Sequence, residues 1–299
     1  MNNYETSEIL ELIKKQFSIK KGNIDELRQD FERFYLKFSS NQVLEVENYC
    51  IKHIQFYKIT AKDNNPDCAV LFFHGGFYNM GSTRSHMDLC GKLSEASKLS
   101  VYCPDYRLAP ENPFHAPVYD CLDSYFWLVK QGMKPSNIIL AGISAGGTLA
   151  LSTLISLKNK GYELPAAAVC MSPVIDLNLH DVLVKFKQEK DWINKYRLET
   201  FRDVYLGEYN HKNLSASPIY ADLEDLPPIY LQVGGNEILR DSIHDFYKKA
   251  SSFDVDISLD EWPGMFHCWQ IFSSYLDEGQ EAIEAAGNYI RKILHNKKI

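Results

Sequence analysis

The stretch from Ile138 to Leu154 limits the fold most. An apolar run, Ile138-Ile139-Leu140-Ala141, leads into Gly142-Ile143-Ser144-Ala145-Gly146, and Gly147 to Leu154 then reads as a helix. Strand, sharp turn and helix in that order belong to an α/β sheet. A turn that tight excludes large side chains two positions either side of its central residue, and both places hold glycine. Such a turn lifts the Ser144 hydroxyl off the sheet and sets a helix N-terminus beneath it. The pentapeptide alone is weak; its meaning depends on what precedes and follows it.

The rest of the chain alternates in the same way. Cys68-Ala69-Val70-Leu71-Phe72-Phe73 is continuously apolar, as in a strand buried on both faces. Further short runs lie at 100–103, 138–141, 167–171, 228–233 and 255–261, with helical patterns at 85–99, 118–130 and 147–158 between them. This predicts an α/β protein with a mostly parallel sheet and helices on both faces. The interval 43–57 reads as strand. Residues 1–40 read as two amphipathic helices with a break at Lys20-Lys21-Gly22; Asn23 is the expected N-cap of the second, with Glu26 three residues on. The interval 173–228 is too long for a structureless loop and carries Trp192, Tyr196, Phe201, Tyr205 and Tyr209. It reads as a helical insertion. The expected organisation is an N-terminal helical cap segment, 1–42, and a catalytic domain, 43–299, interrupted by a cap insertion at about 177–215.

The chain has 299 residues and a net charge of −7, which argues against a nucleic-acid footprint and a basic membrane-binding patch. No apolar run nears a membrane-spanning length, and the first residues carry no signal-peptide pattern. Seven cysteines, with no CxxC, read as reduced thiols of a cytoplasmic protein. No ligand pair has the usual close spacing, so no structural zinc site is expected. A homodimer is left open.

After the strand ending at Phe73 comes His74-Gly75-Gly76-Phe77-Tyr78-Asn79-Met80-Gly81. Adjacent glycines leave backbone N–H groups unshielded, able to face a developing anion. Beside a serine turn they read as an oxyanion hole of Gly75 and Gly76, joined by the N–H of Ala145. A serine hydroxyl needs a base, and the base an orienting acid, in the order Ser, acid, His. Of the downstream histidines His180, His211, His244, His267 and His295, only His267 follows a strand and a turn, Pro263-Gly264, with apolar neighbours. The acid belongs after the strand at 229–233. Glu237 is the first carboxylate there, and Asp241 is the alternative one helical turn later.

These residues resemble the hormone-sensitive-lipase-like family of α/β-hydrolases, the bacterial family IV esterases, from about Ala69 to His267. HGGFYNMGS at His74–Ser82 looks like the family's HGGG-type segment, DYRLAPEN at Asp105–Asn112 is nearly its own string, and GISAGG at Gly142–Gly147 is similar to its GDSAGG. SPIYADLEDLPPIYLQVGG at Ser217–Gly235 and PGMFHCW at Pro263–Trp269 also match. The chain departs in three places: Phe77 stands for the third glycine, Ile143 for the Asp before the serine, and Glu237 for the usual acidic Asp. The resemblance implies an α/β-hydrolase sheet with a helical cap, and cofactor-free hydrolysis of short-chain, notably acetyl, esters. It also implies that His74 and the DYRLAPE segment brace the glycine loop. Amide or lactone hydrolysis, and ligand binding without turnover, are the competing readings.

Overall fold

The computed structural model describes residues 4–17, 23–40, 42–179 and 190–296. Four adjacent strands have no side turned to water. β3 (Ala69–Phe73), β5 (Ile138–Ile143), β6 (Ala167–Met171) and β7 (Ile229–Gly234) are buried at every position. Strands without a polar face need layers above and below, which the intervening helices supply. With β1 (Glu45–Ile51), β2 (Ile54–Thr60), β4 (Ser100–Asp105) and β8 (Ile257–Trp262) they form one sheet of order β1-β2-β4-β3-β5-β6-β7-β8. From β4 to β8 all neighbours are parallel; β2 runs antiparallel to both β1 and β4. This is the α/β-hydrolase arrangement expected from the sequence.

The helices are α1 (Thr6–Gln16), α2 (Ile24–Leu36), α3 (Thr83–Ser97), α4 (Ala116–Lys130), α5 (Ala145–Asn159), α6 (Lys195–Leu206), α7 (Arg240–Ser251) and α8 (Asp277–Asn296). On the sheet α3 packs against α8, and α4 against α5. Asn23 caps α2 as expected, its side chain accepting the Glu26 N–H at 2.9 Å. The interval 43–57 is not one strand. It is a hairpin pairing Ile51 with Ile54 across Lys52-His53, with Lys52 at φ +57°. No glycine or asparagine marks this turn, so the sequence offered no break there.

The N-terminal helices and the interval after β6 meet near the C-terminal ends of the strands. Phe17, at the end of α1, lies 5.4 Å from Trp192 and 5.3 Å from Phe34 of α2, ring centre to ring centre. From α2, Arg28 donates to Asn79 O at 2.8 Å and Ala109 O at 2.9 Å, and pairs with Glu111. On the opposite side, Tyr78 stacks on Tyr205 of α6 at 3.8 Å. The loop after β3 is therefore gripped from both sides. The Lys20–Gly22 break and His180 lie outside the described residues. Among the described residues, no helix is long and apolar enough to cross a membrane.

Candidate active site

Ser144 sits between β5 and α5 at φ +54°, ψ −123°, a conformation that L-residues adopt only when their surroundings force it. Its N–H donates to Met171 O at 2.8 Å. The flanking glycines explain how the turn closes. A Cβ on Gly146 would lie 1.9 Å from Phe73 O and 2.5 Å from His74 O; one on Gly142 would lie 2.3 Å from Gly146 O. These are backbone atoms that cannot swing aside. Gly146→Ala should therefore cost more than about 3 kcal/mol, a drop of about 5 °C or more in Tm, read by calorimetry. Ile143, where the family places Asp, is fully buried.

Three loops at the ends of β5, β7 and β8 converge. Ser144 Oγ lies 2.8 Å from His267 Nε2, and His267 Nδ1 lies 3.1 Å from Glu237 Oε2. The second Glu237 oxygen accepts from the Ser172 hydroxyl at 2.5 Å and the Gly234 N–H at 2.7 Å. A carboxylate so held leaves Oε2 as an acceptor, which fixes the imidazole with its hydrogen on Nδ1 and its lone pair facing serine. Burial works against the His267 imidazolium. The adjoining Cys268 sulfur and the Glu237 carboxylate outweigh it and hold the pKa well above the ordinary value. The Cys268 thiol is itself pushed up by burial, which leaves the hydrogen bond to Glu237 as the contact that favours the imidazolium at neutral pH. Asp241 is exposed and ion-paired with Arg240, away from the cluster. His244 is bonded to Glu261.

The glycine loop corrects one expectation. Gly75 does not present its N–H to the serine: it donates to His86 Nε2 at 3.1 Å. His86 Nδ1 in turn lies 3.1 Å from Ser82 O, so that nitrogen carries the hydrogen. Burial, with His74 adding to it, drives the His86 pKa down to about 3, so the ring stays neutral and able to accept. Among the described residues, no acceptor is paired with the N–H groups of Gly76, Phe77 or Ala145. His74 stacks on Tyr106 at 4.1 Å, and the Tyr106 hydroxyl donates to His74 O at 2.8 Å. Burial holds the His74 pKa near 4. Asp105 accepts from the Thr83 N–H at 2.6 Å and its hydroxyl at 2.7 Å, and Ala109 N–H donates to Tyr78 O at 3.0 Å. The DYRLAPE segment thus braces the loop, as the resemblance implied.

Sequence reasoning missed three participants. Ser172 directly follows β6, and its place past a strand's C-terminal end was the available signal. His86 and Asp191 carried none: one sits on an ordinary helix, the other within a run of charges. Asp191 is 2% exposed and lies beside both His267 and Glu237.

Residues 70–271 match the family model described as alpha/beta hydrolase fold. The chain is 32% identical to an acetyl-hydrolase of Streptomyces hygroscopicus over 95% of each sequence. It is 30% identical to an esterase of Acinetobacter venetianus, over 86% of this chain and 85% of that one. In structure it is similar to an esterase from the bacterial hormone-sensitive lipase family, with a TM-score of 0.93 and 35% identity over 97% of this chain and 98% of the other. Fold, order of motifs and relatives agree: the chain belongs to the hormone-sensitive-lipase-like family of α/β-hydrolases.

Proposed function

We propose that this carboxylic ester hydrolase cleaves short-chain acyl esters, acetyl esters first among them, through a Ser144–His267–Glu237 triad and an acyl-enzyme. The observation that carries the reading is the unbroken chain from Ser144 Oγ through both nitrogens of His267 to Glu237 Oε2. Ser144 attacks the ester carbonyl carbon as His267 Nε2 takes its proton. Glu237 stabilises the imidazolium that results. The N–H groups of Gly76, Phe77 and Ala145 face the developing oxyanion; Gly75 is excluded because its N–H is engaged by His86. His267 then protonates the leaving alcohol, and water repeats the sequence on the acyl-enzyme, releasing the acid and restoring Ser144.

Two features support a small acyl group. Phe77 stands where the family has glycine, and its ring packs 4.8 Å from Phe201 and 6.1 Å from Trp192. One relative is an acetyl-hydrolase. Residues 1–42 and the insertion at about 177–215 are taken as the cap that bounds this space. Cys90, Cys103, Cys121, Cys170 and Cys268 are buried free thiols, which suits the reducing cytoplasm.

The test is hydrolysis of p-nitrophenyl esters from acetate to decanoate. Turnover should peak at about two to six acyl carbons and fall steeply beyond. A peak at decanoate would refute the small-acyl reading. No turnover, with Ser144 still labelled by a fluorophosphonate, would move the search to amides and lactones. No turnover and no labelling would favour ligand binding.

A further inference from the structure

A buried carboxylate outside the triad touches both loops that carry it. Asp191 lies just before α6, in the interval between β6 and β7. Its Oδ1 accepts the N–H of Trp192 at 2.8 Å and the N–H of His267 at 3.1 Å. Its Oδ2 accepts the N–H of Ile238, the residue after Glu237, at 3.0 Å. The next side chain completes the grip: the Trp192 indole N–H donates to His267 O at 2.9 Å. The His267 peptide is therefore held at its N–H by Asp191 and at its carbonyl by Trp192. Among the described residues, no cation faces Asp191 except the imidazolium form of His267, and the hydrogen bonds it accepts come from backbone amides. A buried charge with no cationic partner is costly. Here its two oxygens span two loops that are also joined at their base by the β7–β8 pairing, by the Gly235 N–H to Trp262 O at 2.8 Å, the Asn236 N–H to Met265 O at 3.0 Å and the Asn236 side chain to Gly264 O at 2.9 Å; nearer the reacting groups Asp191 adds to the Glu237–His267 hydrogen bond.

We propose that Asp191 is a positioning residue of the triad, fixing the acid loop and the base loop at one spacing from within the insertion, with Trp192 closing the clip. The inference rests on the triad reading above. Through this contact the insertion sets the geometry of the base as well as covering the site. Asp191 also adds a second negative charge near His267. Among the described residues, the groups facing His267 are Ser144, Glu237, Cys268 and Asp191; those facing Asp191 are His267, Glu237 and Cys268. Burial raises the Asp191 pKa to about 6, the His267 imidazolium opposing this and Glu237 reinforcing it. At pH 8 it is the anion.

Asp191→Asn isolates the role. An amide has one acceptor and one donor end, whereas N–H groups point at both oxygens of Asp191, so either orientation sets one donor against another. The expected result is a kcat for p-nitrophenyl acetate lowered about 10- to 100-fold per fluorophosphonate-titrated site, with KM within about threefold. The acid limb of kcat/KM should move to lower pH, because the imidazolium loses a nearby anion. Trp192→Phe keeps the ring and removes the indole N–H, and should lower kcat several-fold. Unchanged kcat per titrated site in Asp191→Asn would overturn the proposal, as would a loss matched by the unfolded fraction with the acid limb unmoved. If Asp191→Asn yields no folded protein, Trp192→Phe decides, and wild-type kcat there sinks the clip. Ser144→Ala run alongside separates the two readings: activity in that variant removes the triad, whereas failure of the Asp191 test leaves the triad standing.

Discussion

Ser144→Ala should lower kcat/KM for p-nitrophenyl acetate by at least about 10,000-fold. Thermal stability should stay within about 2 °C of wild type. The stability expectation follows from the turn. Alanine keeps the Cβ, so the φ of +54° is no more strained than with serine. What is lost is one hydroxyl and its bond to His267 Nε2. The activity expectation follows from the same bond: the base is aimed at this oxygen, and no other described side chain is hydrogen-bonded to that nitrogen. In the proposed triad the three residues act as a unit, so Ser144→Ala combined with His267→Ala should be no slower than Ser144→Ala alone. Initial rates and fluorophosphonate labelling of the folded variant are the measurements. Activity within tenfold of wild type would show that the nucleophile lies elsewhere.

What was readable in the sequence was local. Ser144, Glu237 and His267 each follow a strand at its C-terminal end, and a doubly covered parallel sheet brings such ends together whatever their separation along the chain. The apolar runs of β3, β5, β6 and β7 announce that sheet because a strand buried on both faces has nothing polar to alternate with. What was hidden depended on contacts that no spacing encodes. Gly75 looked as good a donor as Gly76. The difference is a histidine eleven residues on, whose unprotonated nitrogen happens to face the first glycine and not the second. Asp191 is one carboxylate in a charged stretch, and its partners lie 47 and 76 residues away. The hairpin at Lys52-His53 was hidden for the opposite reason: a residue other than glycine adopts a positive φ there, so the punctuation that usually marks such a turn is missing.

Glu237→Gln should be nearly as damaging as loss of the serine, by about 1,000- to 10,000-fold in kcat, while Asp241→Asn should change kcat less than about twofold. The surroundings of Glu237 decide how glutamine sits. Two donors, the Ser172 hydroxyl and the Gly234 N–H, point at the Oε1 position. The amide oxygen of glutamine is drawn to that side. The amide NH2 then faces His267 Nδ1, which must present a lone pair to it. The hydrogen moves to Nε2, and Nε2 now donates toward Ser144 instead of accepting from it. The geometry survives with the tautomer reversed, so KM should change little. The pH profile adds a second reading of the same event. In the wild type, the neutral base is lost as pH falls through the raised pKa of His267, so activity belongs to the alkaline side of the ordinary histidine range. Without the carboxylate the imidazolium is less stable, its pKa falls, and the acid limb of the residual activity should shift to lower pH. Wild-type kcat in Glu237→Gln, with a large loss in Asp241→Asn, would reassign the acid to Asp241. An unmoved acid limb despite a large loss in Glu237→Gln would mean that Glu237 supports the loop without acting on the imidazole.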